Sequence, residues 1–273
     1  MLVTGGSSGV GTATARLFAQ RGDRVWFTYH SGRQRAESLV AALQDVDVRA
    51  FAFDSGSQSS HQDLLDRLPG PVDVLVNNAA VGTKTVESQG TTTIQGQDEC
   101  YVRVNLLGPL WLTRAVLPGM VERGYGKILM VSSVGGGIAA FPGFRDADGM
   151  TKAALAFLTR KLAAELTHHP VEVFCICPGA LDTPMFQQST LDPLPEDETA
   201  NLVRRLPRGR LIQPTEIAEL LWWLSTPAAT VLHGAVIDAS MGLGAHPGLL
   251  TGHRATGEKS FVWAAQTCPA VVA

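Results

Sequence analysis

The chain opens on an apolar run at 1–3, followed by Val10, Ala13, Thr14, Leu17 and Phe18 at helical spacing. This change from strand-like to helix-like patterning then repeats along the sequence. Strands are predicted at 24–29, 48–53 and 72–76, with helices at 34–43 and 61–68. A long helix is predicted over 97–123, stopped by Gly124, and 127–132 reads as a fifth strand whose nearly continuous apolar run suits burial on both faces. A helix starting at Met150 places Leu155, Leu158, Leu162, Ala163 and Leu166 on one stripe, with His168 and His169 at the end where the helix dipole favours positive charge. A sixth strand at 171–176, a helix at 214–225 and a seventh strand at 235–238 complete the pattern, while the Pro-rich, acidic stretch 192–197 reads as a surface loop. Repeated βα units predict one α/β domain over 1–244, a doubly wound parallel sheet of about seven strands with helices on both faces.

Composition narrows the classes of partner. Of 273 residues 45% are hydrophobic and 17% charged, below the roughly 25% charge of ordinary soluble domains and consistent with a large core. The net charge of -3 and the lack of a long basic stretch argue against a nucleic-acid partner. No run of 18 apolar residues and no charged segment ahead of Met1–Val3 are seen, so the expectation is a cytoplasmic protein with no membrane partner. Four cysteines are too few for a disulfide framework. Cys175 and Cys177 share one strand face and read as buried structural thiols, with no metal site.

The most informative stretch is Thr4-Gly5-Gly6-Ser7-Ser8-Gly9-Val10-Gly11, between the first strand and the first helix. Glycines let the backbone turn tightly and approach a pyrophosphate, and the helix N-terminus beyond offers unsatisfied N–H groups and a positive dipole end. A Rossmann-type dinucleotide site follows. An acidic residue usually stands about twenty positions on to hold the ribose hydroxyls of NAD. Here the second strand ends instead in Tyr29-His30-Ser31-Gly32-Arg33. Arg33 with small polar neighbours suits the 2′-phosphate of NADP, so NADP (as NADPH) is favoured over NAD, although Arg33 also fits a solvated helix start.

The glycine spacing, with four further motifs, resembles the short-chain dehydrogenase/reductase family over residues 1 to about 244. Asp54 matches the family's adenine-contacting residue, Asn77-Asn78-Ala79-Ala80 its Asn-Asn-Ala-Gly turn, and Asn105 its helix asparagine. Ser132-Ser133 ends the fifth strand, Lys152 lies in the following helix, and Pro178-Gly179 with Thr183 matches the segment covering the nicotinamide. The resemblance implies that Ser133 orients a substrate carbonyl and that Lys152 binds the nicotinamide ribose. It also implies a homotetramer or homodimer built on the long helices. The family's proton-transferring tyrosine precedes the lysine by four residues, and that position is Asp148; the chain's tyrosines are Tyr29, Tyr101 and Tyr125. Two further departures are a Ser133-to-Lys152 segment about two residues longer than usual and Val236-Ile237-Asp238-Ala239-Ser240 in place of an Asp-Gly-Gly ending.

An unshifted aspartic acid is protonated about once in 10³ molecules at pH 7, and a lysine one turn away is expected to hold it ionised more firmly. Asp148 is thus expected to be an anion and a poor general acid. Three readings remain open. The first is an NADP-dependent reductase of a carbonyl or conjugated enone, with Ser133 or a lysine-bound water chain supplying the proton; the second is a non-redox isomerase, dehydratase or cyclase with Asp148 as base and NADP retained structurally or lost; the third is a cofactor-binding protein in which Asp148 and Lys152 form only a salt bridge. The catalytic set is Asn105, Ser133, Asp148 and Lys152. The cofactor set is Gly5, Ser7, Ser8, Gly9, Val10, His30, Ser31, Arg33, Asp54, Asn78, Ala79, Lys152, Pro178, Gly179 and Thr183.

By resemblance, 185–211 is the substrate lid, and Phe186, Leu191, Leu194 and Leu202 imply a bulky hydrophobic small-molecule substrate. Arg204, Arg205, Arg208 and Arg210 read mainly as a solvated face, and Phe141-Pro142-Gly143-Phe144-Arg145 as a wall of the pocket. The extension 245–273, with Phe261, Val262, Trp263 and Ala264, is expected to dock on a subunit or at the pocket mouth.

Overall fold

Side chains on successive strand positions point to opposite faces of a sheet, and here that alternation sorts the core into two layers. In the computed structural model, whose described residues are 1–88, 93–141 and 144–246, the strands are β1 (Leu2–Val3), β2 (Val25–Tyr29), β3 (Val48–Ala52), β4 (Val74–Asn77), β5 (Gly126–Val131), β6 (Val171–Pro178) and β7 (Val236–Ala239). All pair in parallel in the order β3-β2-β1-β4-β5-β6-β7. Leu2, Trp26, Leu75, Ile128 and Cys175 enter one apolar cluster, and their chain neighbours Val3, Phe27, Val76, Leu129 and Phe174 enter the other.

The helices are α1 (Gly9–Gln20), α2 (Arg33–Ala41), α3 (Gln58–Arg67), α4 (Thr83–Ser88), α5 (Ile94–Tyr101), α6 (Gly108–Arg123), the single turn α7 (Val134–Gly137), α8 (Asp146–Glu165), the short α9 (Pro184–Phe186), α10 (Glu196–Arg205) and α11 (Pro214–Leu224). Phe18 of α1, Leu39 of α2 and Leu221 of α11 cover one face of the sheet. Leu64 of α3, Leu112 of α6 and Leu155 of α8 cover the other. The strand order reverses between β1 and β4, which opens a crevice at their carboxyl ends, the place where doubly wound sheets bind ligands.

Strand positions agree with the sequence pattern to within a residue or two, and the departures are helical. The helix predicted at 97–123 starts at Ile94 and is interrupted by a π-turn, Val102–Leu107. The bonding there is irregular because Ser55 Oγ donates to Val104 O at 3.2 Å and Asn105 spends its side chain on the backbone of Val81. π-turns concentrate at functional sites. The helix predicted from Met150 begins at Asp146, whose carboxylate and that of Asp148 suit the positive first turn. Most of the stretch read as a loop at 192–197 leads into α10, which carries Glu196, Asp197 and Glu198 in its first turn and Arg204 and Arg205 in its last, a charge order that matches the dipole. Within Ile94–Arg123 one 18-residue window reaches a mean hydropathy of 1.2, by length and composition enough for a membrane span, yet Leu112, Val116 and Met120 pack against the sheet.

Candidate functional site

The glycine turn is built so tightly that a side chain at its glycines would strain the backbone or meet neighbouring atoms. Gly5 and Gly9 have φ of +69° and +50°, the left-handed region that favours glycine. A Cβ on Gly11 would stand 2.2 Å from Gly5 O. Ser8 is the N-cap of α1 but its side chain makes no capping bond, and the first turn of the helix holds no acidic residue. The leading N–H groups, with the positive end of the dipole, therefore suit an anion. Thr4 locks this turn to the loop after β4: its Oγ1 accepts from Asn78 N at 3.0 Å and Ala79 N at 2.9 Å, while Asn78 Nδ2 donates to Thr4 O at 2.9 Å.

Other cofactor-set residues surround the same crevice. Thr183 caps α9 by accepting from Phe186 N at 3.3 Å, and its Cγ2 lies 3.1 Å from where a Gly9 Cβ would be, so the start of the lid reaches the glycine turn. Gly179 packs on Ser240, where a Cβ would have 3.0 Å, just past Pro178 at the end of β6. Asp54 Oδ1 accepts from Gly56 N at 2.9 Å, which shapes the turn after β3. Ser7 is buried, whereas His30, Ser31 and Arg33 are exposed. The arginine that touches the glycine turn is Arg35, two positions beyond Arg33: its Nε donates to Ser7 O at 3.2 Å. Sequence spacing gave no reason to prefer Arg35, because the turn into α2 decides which arginine faces back.

Asn105, Asp148 and Lys152 of the catalytic set come together at the same end of the sheet, where Ser133 follows β5. Asn105 is buried in the π-turn, where Oδ1 accepts from Val81 N at 2.8 Å and Nδ2 donates to Val81 O at 3.1 Å. The same Nδ2 donates to Asp148 Oδ1 at 3.3 Å. Lys152 lies one turn along α8, 9% exposed, and Ser132 Oγ donates to its backbone carbonyl at 2.8 Å, tying the end of β5 to α8. Ser133 caps α7, its Oγ accepting from Gly135 N at 3.2 Å.

The electrostatics run against the expectation that Lys152 holds Asp148 more firmly ionised than a free aspartate. Burial pushes its carboxyl above the ordinary range, and the opposing pulls of Lys152, Asn105 and Arg145 only partly offset this. Lys152 is pushed the other way by its own burial, against the attraction of Asp148. Among the described residues Asp148 and Lys152 make no direct ion pair, so the salt bridge of the non-catalytic reading is not formed.

Tyr101 is remote from Lys152 in sequence, but the fold buries it fully within the electrostatic reach of Asp148, with its hydroxyl donating to Thr83 Oγ1 at 3.3 Å. Its enclosure keeps it from replacing a proton donor that must meet substrate. Cys175 and Cys177 share a face as expected, with sulfurs 3.9 Å apart, and no metal-ligating cluster occurs among the described residues.

Residues 185–211, the expected lid, pack into a small core shared with α7 and the segment after β7. Leu191 and Leu202 are buried there with Val134, Leu206 and Leu243, while Phe186 and Leu194 pack at its edge. Two of the four residues expected to line the pocket are thus buried in this cluster. Exposed apolar surface near the site comes from Ile138, Phe144 and Met185. Phe144 packs over Gly135 and Gly149, and Met185 lies against Gly82. Arg210 forks onto Glu216 through bonds of 2.6 and 2.8 Å, so it belongs to the lid's base. Pro142, Gly143 and 247–273, including Phe261, Val262, Trp263 and Ala264, lie outside the described residues.

A family profile described as enoyl-(acyl carrier protein) reductase matches residues 5–244. The oxidoreductase UcpA of Salmonella typhimurium is 33% identical over 249 residues, covering 87% of this chain and 92% of its own. The 3-oxoacyl-[acyl-carrier-protein] reductase FabG of Thermotoga maritima is 29% identical over 248 residues, covering 89% and 96%. Among solved structures, a variant of actinorhodin polyketide ketoreductase with NADPH superposes with a TM-score of 0.77 at 29% identity, over 89% of this chain and 96% of that one. A 3-oxoacyl-[acyl-carrier protein] reductase of Brucella melitensis with bound NAD gives 0.76 at 28% identity, over 88% and 89%. With a profile spanning nearly the whole described chain, the motifs and the sheet order in agreement, the chain belongs to the short-chain dehydrogenase/reductase family.

Proposed function

We propose that this protein is an NADP(H)-dependent reductase of a carbonyl or conjugated enone on a bulky hydrophobic small molecule, with Asp148 as the proton donor in the place of the family's tyrosine. The observation that carries the reading is the setting of Asp148, hydrogen-bonded by Asn105, one turn from Lys152, and raised by burial toward the protonated form. A raised carboxyl is protonated more often than an ordinary one, and only the protonated form has a proton to donate.

The glycine turn fits a dinucleotide because Gly5 and Gly9 hold the left-handed backbone of a tight turn, Gly11 lets α1 start directly against Gly5, and the first N–H groups of α1 lack a side-chain cap. Gly5, Ser7, Ser8, Gly9 and Val10 would hold the pyrophosphate, Asp54 the adenine, and Arg33 and Arg35, with His30 and Ser31, the 2′-phosphate. Asn78, Ala79, Pro178, Gly179 and Thr183 would enclose the nicotinamide end. When bound, the reduced nicotinamide supplies a hydride to the electrophilic carbon. Ser133 would orient the substrate oxygen and Lys152 the ribose. Asp148 would then give its proton to that oxygen, and Asn105 would hold the carboxyl during the transfer. Ile138, Phe144 and Met185 offer the apolar rim that favours a bulky substrate.

The same reading includes a homodimer or homotetramer. Met150 and Phe157 on α8 are 70% and 67% exposed, an apolar face beside the long helix whose self-association would remove it from water. Light scattering on the purified protein tests this: a mass of 29.0 kDa would reject it.

The deciding experiment is calorimetry with NADPH and NADH, followed by absorbance of the reduced nicotinamide with a panel of bulky ketones and enones. Tight NADPH binding with substrate-dependent oxidation is expected. Binding without turnover would favour proton abstraction by Asp148 or a non-catalytic role, and absence of binding would reject the cofactor assignment.

A further inference from the structure

Arg145 immediately precedes α8, and its guanidinium folds inward against α5. Nη2 donates to Gln97 Oε1 at 2.7 Å, and Cζ lies 5.7 Å from the centre of the Tyr101 ring. Nη1 is enclosed without a hydrogen-bond partner. A guanidinium keeps its charge in any protein setting, so enclosing Nη1 costs desolvation that the Gln97 bond and the Tyr101 side chain offset only in part. It caps α8 three residues ahead of Asp148, and its anchors Gln97 and Tyr101 stand about two turns and one turn before Asn105, which bonds Asp148, so the two groups lie side by side against the same helical stretch, where the Arg145 charge is the weakest of the pulls on the Asp148 carboxyl.

Two cations bear on Asp148, and they differ in permanence. Lys152 is buried and driven toward its neutral form, whereas Arg145 has no accessible neutral form. The groups that face Asp148 are Lys152 from α8 itself, Arg145 from the N-terminal cap, Tyr101 from α5 and the neutral amide of Asn105 from the π-turn. Arg145 is therefore the one charge at this site that stays constant through a proton cycle.

We propose that Arg145 is a positioning residue for Asp148: clamped between Gln97 and Tyr101, its permanent charge orients the carboxyl group and stabilises the carboxylate left behind once the proton has gone. The proposal rests on the reading of Asp148 as proton donor. In that step the O–H bond of Asp148 breaks, its proton forms a new O–H bond on the substrate oxygen, and the electron pair stays on Asp148 beside Arg145.

The test is the titration of the Asp148 carboxyl, followed by ¹³C NMR on protein labelled at aspartate and assigned with Asp148→Asn, in the absence of cofactor. Arg145→Met is expected to raise the midpoint by about one unit or more, and Arg145→Lys to restore most of the difference. An unchanged midpoint in Arg145→Met with native circular dichroism would overturn the proposal. If that variant does not fold, Gln97→Leu serves instead, because it frees the guanidinium without deleting it; a raised midpoint supports the clamp and an unchanged one overturns it. Because the readout needs no turnover, a shifted midpoint in a protein that never oxidises NADPH would reject the reductase reading and leave the action of Arg145 on Asp148 standing.

Discussion

Asn105 reaches Asp148 from the one irregular turn of the long helix, its Nδ2 donating to Asp148 Oδ1 at 3.3 Å while the rest of its amide is pinned to Val81. The π-turn thus delivers a fixed donor to the carboxyl that the reductase reading makes the acid. Asp148→Asn keeps the size of the side chain and removes the proton, so kcat is expected to fall by about 10²–10⁴ with NADPH affinity little changed. Stopped-flow reduction beside calorimetry separates the two quantities. Unchanged turnover would remove Asp148 from the proton-transfer step.

The pH profile follows from the direction of the Asp148 shift. Burial raises the folded value above the ordinary carboxylate range, and the protonated form is the active one. Turnover is therefore full below that value and falls as pH rises through it. In Asp148→Tyr the donor has a reference pKa of about 10, so the falling limb is expected to move up by several units. The check is kcat against pH for both proteins at saturating NADPH; coincident profiles would mean that the proton comes from another group.

Much of this architecture was legible because parallel strands buried on both faces leave continuous apolar runs, such as Ile128–Val131 in β5, that few other elements produce. The glycine turn was legible for a similar reason: its residues are dictated by backbone geometry, with left-handed φ at Gly5 and Gly9. The ionisation of Asp148 was not. Sequence spacing shows a lysine one turn away, but the desolvation that outweighs it comes from α5, the π-turn and α8 closing together. Arg35 and Tyr101 were missed on the same grounds, since each reaches the site through a contact between segments distant in the chain. α10 was missed because a proline-rich start obscured a charge order that, read alone, already suited a helix.

Cofactor selectivity is expected to depend on Arg35, the side chain already anchored on Ser7 O at the rim of the glycine turn. A charge-assisted bond to the 2′-phosphate is worth about 1.5–3 kcal/mol, so Arg35→Ala should weaken NADPH roughly 10- to 100-fold and leave NADH nearly unaffected. Gly11→Ala is expected to abolish binding of both, because its methyl group would meet Gly5 O at 2.2 Å. Calorimetry with the two cofactors decides; equal losses for NADPH and NADH in Arg35→Ala would dissociate that residue from the phosphate.

At the base of the lid, Ile212 N donates to Ala180 O and Asp182 N to Ile212 O, both at 2.9 Å, and the Arg210–Glu216 fork closes beside them. Glu216 is depressed to about 2, chiefly by its bonds to Arg210 and then by the Gln213 amide. A depressed carboxylate contributes stability that is complete above its unfolded value and is lost as pH falls through the folded one. Glu216→Gln should lower Tm slightly near neutral pH, and the gap should shrink as pH falls below the ordinary carboxylate range. The pair is exposed, so added salt should narrow the gap as well. A gap constant from neutral to acid pH would assign the effect to the side chain's shape and not its charge.

Lys152 points to a conflict between stability and chemistry. Its folded value is lowered by burial, so the native state binds fewer protons than the unfolded chain wherever pH lies between the folded value and about 10.5. Native stability therefore rises as pH climbs through that window, and at lower pH it carries the cost of a buried ammonium. Lys152→Met removes that cost, and Asp148 is already pushed toward its neutral form and tolerates the loss. The variant is expected to melt about 2–6 °C higher near neutral pH, to converge with the parent as pH approaches about 10.5, and to lose reductase activity. Paired melting curves across pH, with NADPH oxidation on the same samples, are the measurement. A gain in stability with a loss of turnover would show that the lysine is kept for what it does to bound ligand, because a residue retained for packing alone would not destabilise the fold that holds it. A lower melting temperature at neutral pH would instead make Lys152 a structural member of the β5–α8 junction.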